Sequence, residues 1–485
     1  MSLKWASLAP LIALGACSFA PSYKGPESAP PASAYQEASA YQEASDWKTA
    51  EPDDAAARGA WWTIFGDAQL DALETKSETA NQDLKAGLAR LQQARAATRI
   101  ARADLLPTLD IGSSTARARA SLNSPTYVPG KDATYNNFDL QADFSYELDL
   151  WGRIRNSVSA AKANQQASAA DLATLGLSIH AELATDYFTL RSEDAQQVLL
   201  DKTVDDYAKS LRLTQNLYEG GGAALTDVAQ AQAQLESART LAADIRLQRA
   251  QTEHAIAVLV GENPSAFHLD LNPLPEYLAP PPIDPGLPSA LLERRPDVAA
   301  AERRVAAANA KIGVARAAYF PVFSLSAAAG FDSTSASNWL SAPSRLWSAG
   351  PSGLLTVFDA GRHRAQSAQA HAAFDEQVAD YRNTVLGAYR DVEDNLAALR
   401  QLQQESTTEA AAVSATAKAL QQAQYRYKAG LVTYLEVATT ENTALQAQLI
   451  AASIQQRRLN SSVLLVKALG GGWRSEELAQ SGNLR

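Results

Sequence analysis

Two stretches of this 485-residue chain are too long for an ordinary globular domain to hold. One runs from Gly152 to Gly222, the other from Gly361 to Gly430. Each opens on a Gly-Arg step, Gly152-Arg153 and Gly361-Arg362, and continues for about 66 residues without a proline. Each closes at a tyrosine-glycine turn, Leu217-Tyr218-Glu219-Gly220-Gly221-Gly222 and Arg426-Tyr427-Lys428-Ala429-Gly430. At ~1.5 Å per residue a continuous helix of that length is roughly 100 Å long. The chain builds something long, either hollow or filamentous.

The two stretches belong to an internal duplication, which is read as architecture before anything else. Ala101-Arg102-Ala103 before Pro107 recurs as Ala315-Arg316-Ala317 before Pro321, 214 positions later. Gly152, Tyr218 and Gly261 recur as Gly361, Tyr427 and Gly470, each 209 positions later. The first repeat spans 67–261, with a helix over 68–106, a β-hairpin over 108–150, a long helix over 153–218 and a return helix over 225–260. The second spans 289–470, with a helix over 296–320, a hairpin over 322–358, a long helix over 361–428 and a return helix over 433–469. A Pro-rich linker, 262–288, joins them, and 471–485 is a tail. Asp67 is placed to cap the first helix after the apolar plug Trp61-Trp62-Thr63-Ile64-Phe65. Pro296 suits the first turn of its helix. In the last return helix Leu445, Leu449, Ala452, Gln456, Leu459, Val463 and Val466 step by four and three, the pattern of a packing seam.

The hairpins carry the clearest β signal. Phe138, Leu140, Ala142, Phe144, Tyr146, Leu148 and Leu150 alternate with Asp139, Gln141, Asp143, Ser145, Glu147 and Asp149. Period two gives one apolar and one acidic face. A soluble sandwich shows the same alternation, but a hairpin set between two very long helices has no partner sheet nearby. In the second repeat Phe323, Leu325, Ala327, Ala329 and Phe331 share a face, and a further strand runs to Val357-Phe358-Asp359. Four strands cannot close a barrel, which needs about eight, and lipid tolerates no open sheet edge. If the hairpins enter a membrane, the chain must oligomerise, and three copies supply about twelve strands. The acidic face would then line water and the apolar face meet lipid, with Asp139, Asp143, Glu147 and Asp149 as lumen residues that either favour cations or are simply solvated in a wide pore.

The N-terminus adds an address. Lys4 precedes the short apolar run Leu8–Leu14, which ends in Leu14-Gly15-Ala16-Cys17. Residues 1–16 read as a lipoprotein signal peptide and Cys17 as the lipidated first residue. Residues 17–66 read as an extended tether, with a tandem Ala-Tyr-Gln-Glu-Ala-Ser over 34–45. Ser18 is not the aspartate that holds lipoproteins at an inner membrane, so the expected place is the bacterial outer membrane. Cys17 is the only cysteine, and the five histidines lack ligand spacing. No metal site, cofactor, nucleophile-base constellation or phosphate loop is read, so an enzyme is not expected. A net charge of −10 without a basic stripe argues against nucleic acid.

These residues resemble the TolC-like outer-membrane efflux channels, in the lipoprotein branch that works with RND-type pumps. The resemblance covers nearly the whole mature chain. It rests on Leu14–Cys17 with Pro21-x-Tyr23-x-x-Pro26, Trp61–Phe65 with Asp67 and Leu70, and Asp149-Leu150-Trp151-Gly152-Arg153. It rests further on Arg294-Arg295-Pro296-Asp297-Val298 with Glu302, Phe358-Asp359-Ala360-Gly361-Arg362, and Tyr427-x-x-Gly430. It implies a homotrimer with a twelve-strand β-barrel in the outer membrane over a twelve-helix α-barrel in the periplasm. It also implies a periplasmic adaptor docked at the tip, connecting to an inner-membrane RND transporter. The expected function is a passive exit duct for small molecules. Two other readings stand beside it: a duct for type I protein secretion, and a periplasmic structural lipoprotein that forms no channel.

On this resemblance the turns at Tyr218, Gly220, Gly221, Gly222, Tyr427 and Gly430 dock the adaptor and gate the duct, although their glycines also terminate helices. Many relatives carry an aspartate ring nine residues after the second turn glycine, where this chain has Thr439. The constriction then rests on Leu435, an apolar ring in relatives, with Glu441 nearby. Thr433-Tyr434-Leu435-Glu436 has capping-box spacing, which predicts Glu436 as a helix cap.

Overall fold

The structure, a computed structural model, describes residues 18–26, 59–123, 125, 130, 132–275, 278–283 and 294–471. The signal peptide, Cys17, residues 27–58 and the tail after 471 lie outside the described residues. The chain divides into two units: Met1–Glu27 with Arg90–Ala169 and Ala300–Tyr381, and Ser28–Ala89 with Ala170–Ala299 and Arg382–Arg485.

The elements, in chain order, are α1 Ala68–Ala80, α2 Gln82–Ala103, β1 Thr108–Arg119, β2 Thr134–Leu148, α3 Arg153–Glu219 and α4 Leu225–Leu259 in the first repeat. The second repeat holds α5 Pro296–Ala317, β3 Val322–Ser333, β4 Arg345–Leu354, α6 Arg362–Lys428 and α7 Tyr434–Ala468. In three helix pairs the duplication is kept to the residue: α2 and α5 have 22 residues, α3 and α6 have 67, and α4 and α7 have 35. No described helix is long and apolar enough to cross a membrane.

Several boundaries differ from the sequence reading, among them the helix expected over 296–320, which ends at Ala317. The helix expected over 68–106 is two helices, broken at Asn81, and it ends at Ala103. Asn81 is buried, and its Oδ1 accepts from the Asp83 and Leu84 amides at 2.8 and 3.0 Å, so it caps α2 where a continuous helix was expected. β2 stops at Leu148, because Asp149 is used by the next helix. β4 stops at Leu354, so Val357 and Phe358 stand outside the sheet.

In the second unit, Asp67 caps α1, accepting from the Gln69 and Leu70 amides at 2.9 and 3.1 Å. The short turn Trp61–Phe65 buries both tryptophans against Leu70, Leu183, Tyr187, Ile256, Leu459 and Val463. The seam on α7 is therefore seated: Leu445, Leu459, Val463 and Val466 are buried, and the amide of Gln456 donates to the Thr189 hydroxyl at 2.9 Å. The proline-rich stretch after Gly261 is docked by a buried ionic cluster. Asp194 accepts from Arg191 at 2.6 Å, from Arg249 at 2.7 Å and from the Asn272 amide at 2.9 Å. The guanidinium groups of Arg191 and Arg249 also donate to the carbonyls of Asp270 and Leu269.

The first unit carries the sheet. It is antiparallel, in the order β1-β2-β3-β4, so β1 and β4 are its edges within the chain. Trp151 donates its indole N–H to the Pro321 carbonyl at 2.7 Å and packs on Phe320, which stacks in turn on Phe19 at 4.5 Å. The strands of both repeats are pinned to one another at this point.

Candidate functional site

The register sorts the sheet residues onto two faces, because directly opposite residues point the same way. Asp110, Asp143, Ala328 and Ser348 form one row, and Ser114, Asp139 and Asp332 another on the same face. Leu109, Phe144, Ala327 and Ala349 share the other face with Ile111, Ala142, Ala329 and Trp347. Asp110 opposite Asp143 and Asp139 opposite Asp332 are like-charge pairs, which a sheet tolerates where water screens them. On the apolar face Leu109, Ile111 and Trp347 are exposed, Trp347 to 80%.

Asp139 and Asp143 lie on the acidic face as expected from the alternation. Glu147 lies there too, but its carboxylate accepts from Arg153 at 2.9 and 2.8 Å. Asp149 is outside the strand altogether. Its carboxylate accepts from the Ile154 and Arg155 amides at 3.0 and 2.8 Å, neutralising open N–H groups of α3. The second repeat does the same with Asp359, which accepts from the Gly361 and His363 amides at 2.9 and 2.8 Å. The His363 amide is the main reason its carboxyl is held below its ordinary range. The signal was available in the sequence: an aspartate shortly before each Gly-Arg step.

Both turns end their long helices in the same way. The Gly221 and Gly222 amides donate to the carbonyls of Tyr218 and Leu217, and those of Gly430 and Leu431 donate to Tyr427 and Arg426. Gly221 and Gly430 take the left-handed conformation at φ +75° and +68°, whereas Gly220 and Gly222 do not. The tyrosines differ. Tyr427 is buried, edge-on to Tyr434 at 5.5 Å, and its hydroxyl donates to Thr214 on α3 at 3.3 Å. Tyr218 is exposed. Leu211, Leu217, Ala231, Ala423, Tyr427 and Val437 pack together, so α3, α4, α6 and α7 meet at the turns.

The candidate gate residues separate onto two faces of α7. Leu435 is 56% exposed, and Thr439, one turn on, is exposed with its hydroxyl donating to the Leu435 carbonyl at 2.8 Å. Glu441 is buried. It accepts from the Tyr434 hydroxyl at 3.3 Å and the Ser210 hydroxyl at 3.4 Å, and burial pushes its carboxyl up to about 7. The capping box does not form: Thr433 makes no side-chain cap, and Glu436 instead accepts from Arg426 at 2.7 Å. That salt bridge spans the turn and competes for the carboxylate.

Residues 75–262 and 287–471 match the family of outer membrane efflux proteins. The toluene efflux pump outer membrane protein TtgF of Pseudomonas putida is 34% identical over 477 residues, 98% of each chain. Among solved structures, the outer-membrane channel OprN is 31% identical with a TM-score of 0.82, over 94% of this chain and all of that one. The CmeC outer membrane channel of Campylobacter jejuni is 25% identical with a TM-score of 0.84, over 96% and 97%. A duplicated long-helix fold, an amphipathic four-strand sheet and these matches over nearly its full length place the chain in the outer membrane efflux protein family, a family of channel proteins.

Proposed function

We propose that three copies of this chain close their sheets into a twelve-strand barrel in the outer membrane and that the long helices continue it as a periplasmic duct. The observation that carries this is the sheet: one face bears Asp110, Asp139, Asp143 and Asp332, the other is apolar and exposed, and among the described residues neither edge strand has a further neighbour. An apolar face suits hydrocarbon, while open edges do not, since each unpaired backbone group costs several kcal/mol there. Pairing β1 of one copy with β4 of the next removes every edge. The duct passes small molecules delivered by an inner-membrane RND pump through a periplasmic adaptor that docks at the paired turns. Cys17 carries the lipid anchor. The chain catalyses no reaction, and the pump supplies the energy. Relatives named for toluene, pyoverdine and antibiotic efflux support small molecules as cargo.

The test is purification from outer-membrane fractions, followed by electrophoresis with and without boiling and by single-channel recording in planar bilayers. A heat-modifiable trimer with steady conductance is expected. A soluble monomer that leaves bilayers silent would overturn the reading.

A further inference from the structure

The duplication leaves one face covered in the second repeat and open in the first. On α5, Asn309, Gly313 and Arg316 are covered by the segment after Cys17. The Asn309 amide donates to the Pro21 carbonyl at 2.9 Å and Arg316 to the Phe19 carbonyl at 3.4 Å, while a Cβ on Gly313 would lie 2.7 Å from that of Ala20. Their counterparts on α2, 214 positions earlier, are Arg95, Arg99 and Arg102. These arginines, with Gln92, Thr98 and Gln165 of α3, line a groove of about 450 Å³.

All three are exposed, and no described residue forms an ion pair with any of them. Three cations within two turns of one helix repel one another, so the arrangement is unfavourable without an anion. The depth of the groove says which kind. Arg102 stands six positions before Thr108, the start of β1, as Arg316 stands six before Val322, the start of β3. Arg316 in turn holds the carbonyl of Phe19, two residues from Cys17, a reach of about 7 Å of extended chain. The arginines therefore lie at the same depth below their strand as the anchored segment does below its own, at headgroup level. Ile100, Leu105 and Leu106 are exposed beside them, as acyl chains would require.

We infer that Arg95, Arg99 and Arg102 form a site for the phosphate of an anionic phospholipid at the periplasmic surface of the outer membrane. Guanidinium groups bind phosphate through paired charge-assisted hydrogen bonds, and the groove is long enough for more than one arginine to reach the same headgroup. This rests on the sheet being a membrane barrel and Cys17 its anchor.

The experiment uses the full lipidated chain in vesicles of phosphatidylethanolamine with and without phosphatidylglycerol, followed by detergent extraction and native mass spectrometry of the retained lipid. The wild type is expected to retain phosphatidylglycerol over phosphatidylethanolamine by about tenfold, the scale of one charge-assisted hydrogen bond. Arg95→Gln/Arg99→Gln/Arg102→Gln loses that preference, and the triple lysine variant keeps part of it, while both still conduct in planar bilayers. Competition by inorganic phosphate that lowers phosphatidylglycerol retention would support phosphate recognition. Equal retention of the two lipids by the wild type, or an unchanged preference in the glutamine variant, would overturn the site. Loss of conductance in the wild type itself would instead count against the channel reading, separately from lipid retention.

Discussion

Asn81 and Arg295, 214 positions apart, make the same contact with different chemistry. The Asn81 amide donates to the carbonyl of Leu259, the last residue of α4, at 2.8 Å, and Arg295 donates to that of Ala468, the last residue of α7, at 3.1 Å. Beside each contact a glycine lets two backbones meet. A Cβ on Gly261 would lie 2.6 Å from the Ala80 carbonyl oxygen, and one on Gly470 2.8 Å from that of Arg294.

Both glycines are also left-handed, at φ +71° and +91°, so alanine meets strain and a clash together. Gly430 has the same conformation, at +68°, with nothing within 4 Å of a Cβ. Gly430→Ala is expected to cost about 1 kcal/mol, while Gly261→Ala and Gly470→Ala each cost about 3 kcal/mol or more. Thermal melts of the three variants by far-UV circular dichroism would check the ordering, and equal losses would contradict it.

These contacts mark where the sequence is legible. Period and repeat spacing give the long helices, the return helices and β2, and local pattern gives the Asp67 cap. The break at Asn81 was hidden because its cause is tertiary: the side chain serves Leu259, distant in sequence, as well as its own helix. Glu436 does not cap its helix because Arg426 competes for it across the turn. The two-faced separation of Leu435 and Thr439 from Glu441 follows from helical spacing, but which face is buried depends on Ser210 of α3.

Asp194 is the hinge of the buried ionic cluster. Asp194→Ala leaves Arg191 and Arg249 buried with fewer partners and frees the Asn272 amide. Removing one partner of a buried pair costs about 3–5 kcal/mol. Arg249 keeps Glu253 at 3.0 Å but Arg191 is left without its carboxylate, so Arg191→Met/Asp194→Leu should recover part of the loss by removing both charges of that pair together. A double variant no more stable than Asp194→Ala in denaturant titration would argue against this account.

Glu441 gives a pH dependence of definite sign. Its carboxyl rises from 4.5 to about 7, chiefly through burial and against the hydroxyls of Tyr434 and Ser210 and the amide of Gln424, with Asp206 pushing the same way as burial. Between those values the folded state holds a proton that the unfolded chain has released, so stability is lost as pH rises through that window. Glu441→Gln should flatten this slope and melt higher than the wild type above pH ~7, where the wild-type carboxyl is charged in a buried site. The comparison is the difference in melting temperature across pH; a constant offset would remove Glu441 as its source.

Leu435 and Thr439 form the exposed stripe of α7 next to the second turn, and the proposed constriction rests on them. An exposed leucine there contributes little to folding, since its side chain gives up little water-accessible area in the chain. Its value would come from three copies meeting at the axis, where apolar side chains exclude water and ions. Leu435→Ala or Leu435→Asp should therefore leave the melting temperature within a few degrees while raising resting conductance and the entry of large antibiotics. Thr439→Ala, which removes the bond to the Leu435 carbonyl, should have a smaller effect in the same direction. Single-channel recording beside antibiotic susceptibility separates the two quantities. Unchanged conductance and unchanged susceptibility in Leu435→Asp would take the constriction away from this face of the helix.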